Sequence, residues 1–339
     1  MKLETVRSLK MELFDRFIKP GVRFCQINGH EDLEMEVPFF DSPVAFGVAP
    51  IRQGKSRMAY ALAVRLAPGV ELDREVIKRL PKGTELDVAR NLTYKPLVAR
   101  KPMKCTPRDE GQKLVLKAGY SCGHYKITAG TLGGFVEDSK GKYILSNNHV
   151  LANCNEASVG DNILQPGPYD IKDGKYDVIG HLTRWYNLSE NDRNGVDAAI
   201  AALDKKVDGI EPHEYDGIGK INPKVIEDRY EVDCAIKRGR TTKVTEGFVS
   251  AYEVDGVRVG YGGGRVITFD GLIEFLHHNP EEEAFGQPGD SGSVIFDDAT
   301  KRPFALLFAG GTDHMGYDRT LANFMPDVLK EMNVKFIGG

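Results

Sequence analysis

The chain reads as a mainly β protein: two β-barrels, preceded by a small α+β unit and closed by a C-terminal helix. Three observations predict this. From about Gly119 onward, short runs rich in Val, Ile, Phe and Tyr recur between Gly, Asn and Asp, with little helical periodicity. The runs fall into two series of similar size, separated by a charged stretch around 204–229. The first hundred residues instead mix helical and strand periods, as an α+β unit does.

In chain order, Val6, Leu9, Leu13, Phe14 and Phe17 recur at helical spacing, which predicts a helix over residues 1 to about 18. Val44–Val48 and Tyr60–Leu66 read as strands around the polar turn Arg52-Gln53-Gly54-Lys55-Ser56. Leu72–Leu80 is a short amphipathic helix stopped by Pro81 and Gly83, and Leu86–Ala89 returns as a strand. The first β-series is Thr128–Val136, Tyr143–Ser146, Val178–Leu182 and Ala198–Leu203. The second is Val232–Ile236, Gly247–Tyr252, Val257–Tyr261, Val266–Phe269, Ser293–Phe296 and Phe304–Phe308. Pro326–Met332 closes the chain as a helix with proline near its first turn. The expected organisation is an N-terminal α+β domain over 1–105 and a double barrel over 106–339. Barrel one spans about 119–205 and barrel two about 230–323.

A chain of 339 residues is long enough for two or three compact units. Charged residues at 28% and hydrophobic at 41% suit an ordinary globular protein with ample core. A net charge of −4 gives no reason to expect nucleic acid as a partner. No apolar run is long enough to span a bilayer, and the first residues lack a signal-peptide core. Cys25, Cys105, Cys122, Cys154 and Cys234 show no Cys-x-x-Cys spacing, so neither zinc nor a disulfide framework is expected. The expected location is the cytoplasm, with no cofactor, metal, membrane or nucleic acid partner.

Chemistry concentrates in three places. Gly286-Gln287-Pro288-Gly289-Asp290-Ser291-Gly292-Ser293 sets a serine between glycines, where main-chain amides can face outward. Such a serine attacks a carbonyl while neighbouring amides hold the oxyanion. His149 follows a β-like run in Ser146-Asn147-Asn148-His149-Val150, and Asp197 opens the apolar run Val196–Ile200. A serine hydroxyl needs a base: His149 takes its proton and returns it to the leaving amine, with Asp197 orienting the ring. The amides of Gly289 and Ser291 are the expected oxyanion donors. His149 and Asp197 fall in the first β-series and Ser291 in the second, which places the site between barrels. Each residue taken singly also fits a bland role: a loop cap for Ser291, a strand-end histidine for His149, a turn cap for Asp197. Their joint occurrence in triad order favours catalysis.

The chain resembles trypsin-like serine peptidases of the chymotrypsin-fold (PA) clan, which share the order His, Asp, Ser. More narrowly, it is similar to bacterial relatives of the plant narrow-leaf protease. The resemblance rests on Gly123–Tyr125 with Thr128–Gly133, Ile144–Ala152, Leu164–Asp170, Val196–Ile200, Gly239–Thr242 and Pro288–Ser293, spanning roughly 119–330. It implies a chymotrypsin-like double β-barrel, a metal-free serine endopeptidase acting on protein or peptide substrates, and a homo-oligomer. It places Phe285 at the base of the primary pocket and Ala309, Gly310 and Gly311 along the strand that pairs with substrate. With no carboxylate at Phe285, a small or medium apolar residue is expected before the scissile bond.

Two readings of other classes compete. A catalytically silent peptide-binding or scaffold protein would carry the same residues unassembled. A nucleotide-controlled protein would use Ala49–Ser56 as a relaxed phosphate loop, which needs a preceding strand and a following helix. His277-His278 beside Glu281-Glu282-Glu283 reads as a solvated loop rather than a metal site.

Overall fold

A computed structural model describes residues 1–14, 43–53, 56–72, 77–78, 80–103 and 112–339. Barrel two closes on itself: the strand order is Cys234–Gly239, Val294–Asp297, Pro303–Thr312, Asp318–Phe324, Leu272–His277 and Lys243–Asp255, which pairs back with Cys234–Gly239. Barrel one is an eight-stranded sheet in which Gly130–Thr131 and Gly134–Asp138 lie toward opposite ends of the strand order. Only Leu132 and Gly133 join these strands, so the sheet curls round to meet itself. The two barrels side by side are the chymotrypsin-like double β-barrel, mainly β with few helices.

The N-terminal residues do not build a sheet of their own. Val44–Gln53 and Ser56–Leu66 form an antiparallel hairpin, and the first of these strands pairs with Lys243–Asp255 of barrel two. Leu86–Ala89 adds a parallel strand at the far edge. The helix Leu3–Leu13 buries Val6, Leu9 and Leu13 in the same cluster as Phe275, Phe285 and Ile295 of barrel two. The expected boundary near 105 therefore marks no break in this core, and residue 105 itself lies outside the described residues, as do Cys25 and part of the helix expected over 72–80.

The hairpin also removes the nucleotide reading. A phosphate cradle needs a helix after its loop, and Ser56–Leu66 is a strand. The charged stretch 204–229 is likewise no free linker. Gly209–Glu211 pairs with Val115–Lys117, and Tyr215 is buried with its hydroxyl donating to Gly133 O at 2.8 Å. The C-terminal helix, Met325–Met332, packs Met325, Val328 and Met332 into the core of barrel one.

Two strands mix buried polar residues with apolar ones. Asp318–Phe324 contains Asp318, Arg319, Thr320 and Asn323, and Leu272–His277 has Glu274 at its centre. Between them, Arg319 donates to Glu274 across the sheet. Glu274 is fully buried between Arg65 and Arg319, at 2.7 Å from each, and also accepts from the hydroxyls of Tyr94 and Ser250. Burial alone would raise the Glu274 carboxyl, but the two guanidinium groups outweigh it and hold the group well below the ordinary carboxylate range.

Candidate active site

His149 is set by a change of backbone at the end of a strand. Gly141–Ser146 runs into the extended Asn147, and the short helix Asn148–Leu151 turns the imidazole into the junction between barrels. Its Nδ1 lies 2.6 Å from Asp197 Oδ2, and its backbone N–H donates to Asp197 Oδ1 at 3.3 Å. A carboxylate only accepts, so Nδ1 carries a proton, and in the neutral ring Nε2 is the acceptor. Nε2 is buried with no hydrogen-bond partner. Asp197 is fixed in turn: Asn323 Oδ1 accepts from its N–H at 2.9 Å, and Asn147 Nδ2 donates to its carbonyl at 2.7 Å. The Tyr261 hydroxyl donates to Asp197 Oδ2 at 2.5 Å, with its ring edge-on to His149.

Ser291 sits on a loop that barrel two anchors from below. Asp290 is fully buried, 3.2 Å from Lys237 Nζ, and accepts from the amides of Thr241 at 2.7 Å and Gln287 at 3.0 Å. Burial by itself would raise this carboxyl; Lys237 and the amides outweigh it and hold it below its usual value. Gly289 takes φ +107°, and a Cβ there would collide with Thr241 and Arg240, so only glycine fits the turn. Barrel one grips the same loop, since Thr131 Oγ1 donates to Gly289 O at 2.9 Å and Thr131 N–H to Ser291 O at 2.8 Å. Arg240 spans the barrels through a buried ion pair with Asp170.

The serine and histidine are not hydrogen-bonded to each other. Ser291 Oγ donates instead to Phe308 O at 2.8 Å. The two residues nevertheless belong to one locality, because the Ser291 carbonyl and the Val150 side chain both crowd Gly130. Changing the serine rotamer about χ1 moves Oγ off Phe308 with no movement of the backbone.

The amides of Gly289 and Ser291 converge on one oxygen, the carbonyl of Leu97; the Ser291 contact is 3.4 Å. That carbonyl belongs to a stretch of this same chain lying along the cleft. Lys95–Pro96 pairs antiparallel with Pro303–Thr312, in the register Pro96 to Ala309 and Lys95 to Gly310. Leu97 N–H donates to Phe308 O at 3.0 Å, and Ala99 N–H to Ala129 O at 2.9 Å. Gly311 is close enough to Thr93 that a Cβ would approach its carbonyl to 2.6 Å. The other side is held as well, since Gly260 N–H donates to Tyr94 O at 2.9 Å.

No family model matches the chain. No curated protein matches it either. Among solved structures, Protease A of Thermobifida fusca aligns at a TM-score of 0.45 and 14% identity, over 65% of this chain and 97% of that one. A glutamic acid specific serine protease with a histidine triad in substrate binding gives 0.45 and 18%, over 65% and 100%. The chymotrypsin of Cellulomonas bogoriensis gives 0.43 and 14%, over 66% and 98%. Likeness at this level assigns neither an activity nor a substrate to this chain.

The structure thus brings His149 to Asp197, aims the Gly289 and Ser291 amides at one carbonyl, and sets Ala309, Gly310 and Gly311 against an extended segment. Phe285 is placed differently from its neighbours. It is fully buried, its ring stacked on Phe275 at 5.2 Å, while Gly286 and Gln287 face a cavity of about 500 Å³ beside Leu97. Sequence reasoning missed Tyr261, Asn323 and Lys237, whose roles come from strand pairing across the molecule, and missed the segment 93–99, which has no periodicity. Burial pushes the Cys154 thiol up to about 12, so it is not a thiolate at neutral pH. Among the described residues, no group of three His, Cys, Asp or Glu side chains is placed to hold a metal ion. No helix among them is long and apolar enough to cross a membrane.

Proposed function

We propose that the chain is a serine endopeptidase that works through an acyl-enzyme, with Ser291 as nucleophile, His149 as general base and acid, and Asp197 orienting the imidazole. The observation that carries this reading is the convergence of the Gly289 and Ser291 amides on a single peptide carbonyl. Donors so arranged stabilise charge that develops on that oxygen in the transition state, and removing one such donor elsewhere costs about 3–4 kcal/mol. The bare Nε2 of an Asp197-bound imidazole supports the same reading, because it is the group that would accept the Ser291 proton.

The primary pocket is proposed to take an apolar side chain, in keeping with the Leu97 methyls that lie against Gly310. The sequence motifs further support a place among bacterial relatives of the narrow-leaf protease, acting on protein substrates within the cell. A silent binding protein is the second reading, favoured by one observation: Ser291 Oγ is bonded to Phe308 O rather than to His149. Hydrolysis of a peptide library separates the two. The peptidase reading expects cleavage after apolar residues that vanishes in Ser291→Ala. A profile dominated by Lys, Arg or Glu contradicts the pocket, and cleavage that survives in Ser291→Ala contradicts the nucleophile.

A further inference from the structure

Residues 93–99 lie in the cleft as a substrate would. The strand register runs from Thr93 to Leu97 along 308–311, and the Leu97 carbonyl accepts from the amides of Gly289 and Ser291. Beyond it the chain remains held, through Ala99 N–H on Ala129 O, Arg240 on Lys101 O at 2.8 Å and Met103 N–H on Asp170 Oδ1 at 2.7 Å. One peptide bond, Leu97–Val98, is therefore fixed on both sides with its oxygen in the oxyanion position. The Leu97 side chain is nearly buried and passes Gly310, whose added Cβ would lie 3.2 and 3.3 Å from the leucine methyls. Any larger residue at 310 would displace it.

We infer that the chain cuts itself between Leu97 and Val98; this rests on the peptidase reading above. Ser291 Oγ bonds to the Leu97 carbonyl carbon and its proton passes to His149 Nε2. The C–N bond to Val98 then breaks, and His149 returns the proton to the departing Val98 nitrogen. Water hydrolyses the Leu97–Ser291 ester, its proton again relayed by His149 to Ser291. The products are residues 1–97, ending in a carboxylate, and residues 98–339, beginning with the Val98 amine. The segment is joined to the barrels by its own chain and pre-positioned, which replaces a bimolecular encounter with an intramolecular one. It also fills the cleft until it is cut, so access by other substrates follows cleavage.

The test is intact-mass measurement and N-terminal sequencing of the full chain, wild type against Ser291→Ala, incubated near neutral pH. The expected result is a new N-terminus at Val98 in the wild type, an uncut Ser291→Ala chain, and a first-order rate unchanged by dilution. Leu97→Asp should slow the cut by at least about tenfold, since it sets a charge where the leucine methyls lie nearly buried against Gly310. A Ser291→Ala chain that is cut when mixed with wild type overturns the intramolecular step. Cleavage at another bond overturns the assigned site. If a fluorophosphonate labels Ser291 while the chain stays intact, self-cleavage is wrong, with the peptidase reading untouched. Neither labelling nor a cut takes both down.

Discussion

Asp197 Oδ2 faces two groups at once, His149 Nδ1 at 2.6 Å and the Tyr261 hydroxyl at 2.5 Å. Burial, followed by the Asp197 charge, pushes the Tyr261 phenol well above its ordinary value, so it stays a donor throughout the working pH range. Two donors on one carboxylate oxygen fix the plane of the imidazole more firmly than one. Removing the phenol leaves a buried acceptor partly unsatisfied, an effect on the order of 1–3 kcal/mol. Tyr261→Phe should therefore slow acylation by a fluorophosphonate by about tenfold or more, with the ring still packed. An unchanged rate would show that Tyr261 only fills space. None of this was legible in the sequence: Tyr261 ends a run, Val257–Tyr261, that reads as one strand among several, and only the pairing of Val257–Gly262 with Arg265–Phe269 brings it to Asp197. The three residues proposed as the triad stood out in the sequence because His149 and Asp197 lie beside strand ends and Ser291 lies among glycines.

At the scale of elements, the N-terminal hairpin is stitched to barrel two by charge as well as by backbone pairing. Arg65 donates to Glu274, which also holds Arg319 and Tyr94, the residue that positions the cleft segment. Glu274 has its carboxyl depressed when folded, so its contribution is complete above the unfolded value near 4.3 and is lost as pH falls below it. Glu274→Gln removes one partner from a buried cluster, a change of about 3–5 kcal/mol. The melting temperature should drop substantially at neutral pH, and the difference from wild type should shrink as both are acidified below about pH 4. A constant difference across that range would remove Glu274 from the account. The strands that carry this cluster escaped sequence reading for the same reason that they are stable. Buried Arg, Glu, Thr and Asn break the apolar pattern, and their partners lie scores of residues away. The hairpin Val44–Leu66 was legible because its alternation is local, whereas its attachment to Lys243–Asp255 was not.

For the whole molecule, the described elements among the first ninety residues are coupled to the barrels so closely that a cut after Leu97 does not divide it. The strand Val44–Gln53 keeps its pairing with Lys243–Asp255, and Val6, Leu9 and Leu13 keep their place in the barrel-two core. Residues 1–97 and 98–339 should therefore co-elute at the size of the uncut chain and separate only under denaturing conditions. Release of the smaller piece under native conditions would contradict the shared core. The mainly β, two-barrel class followed from recurring short runs. The N-terminal unit looked separate because composition changes near residue 105, and composition carries no record of which sheet a strand joins.

The central claim is that Ser291 becomes a nucleophile when His149 accepts its proton. Site-mapping of a fluorophosphonate adduct by mass spectrometry tests it most directly, on the wild-type chain and on His149→Ala and Ser291→Ala. The account predicts a single adduct on Ser291 in the wild type and none in either variant. An adduct on a different residue, or labelling of Ser291 at an undiminished rate in His149→Ala, would contradict it.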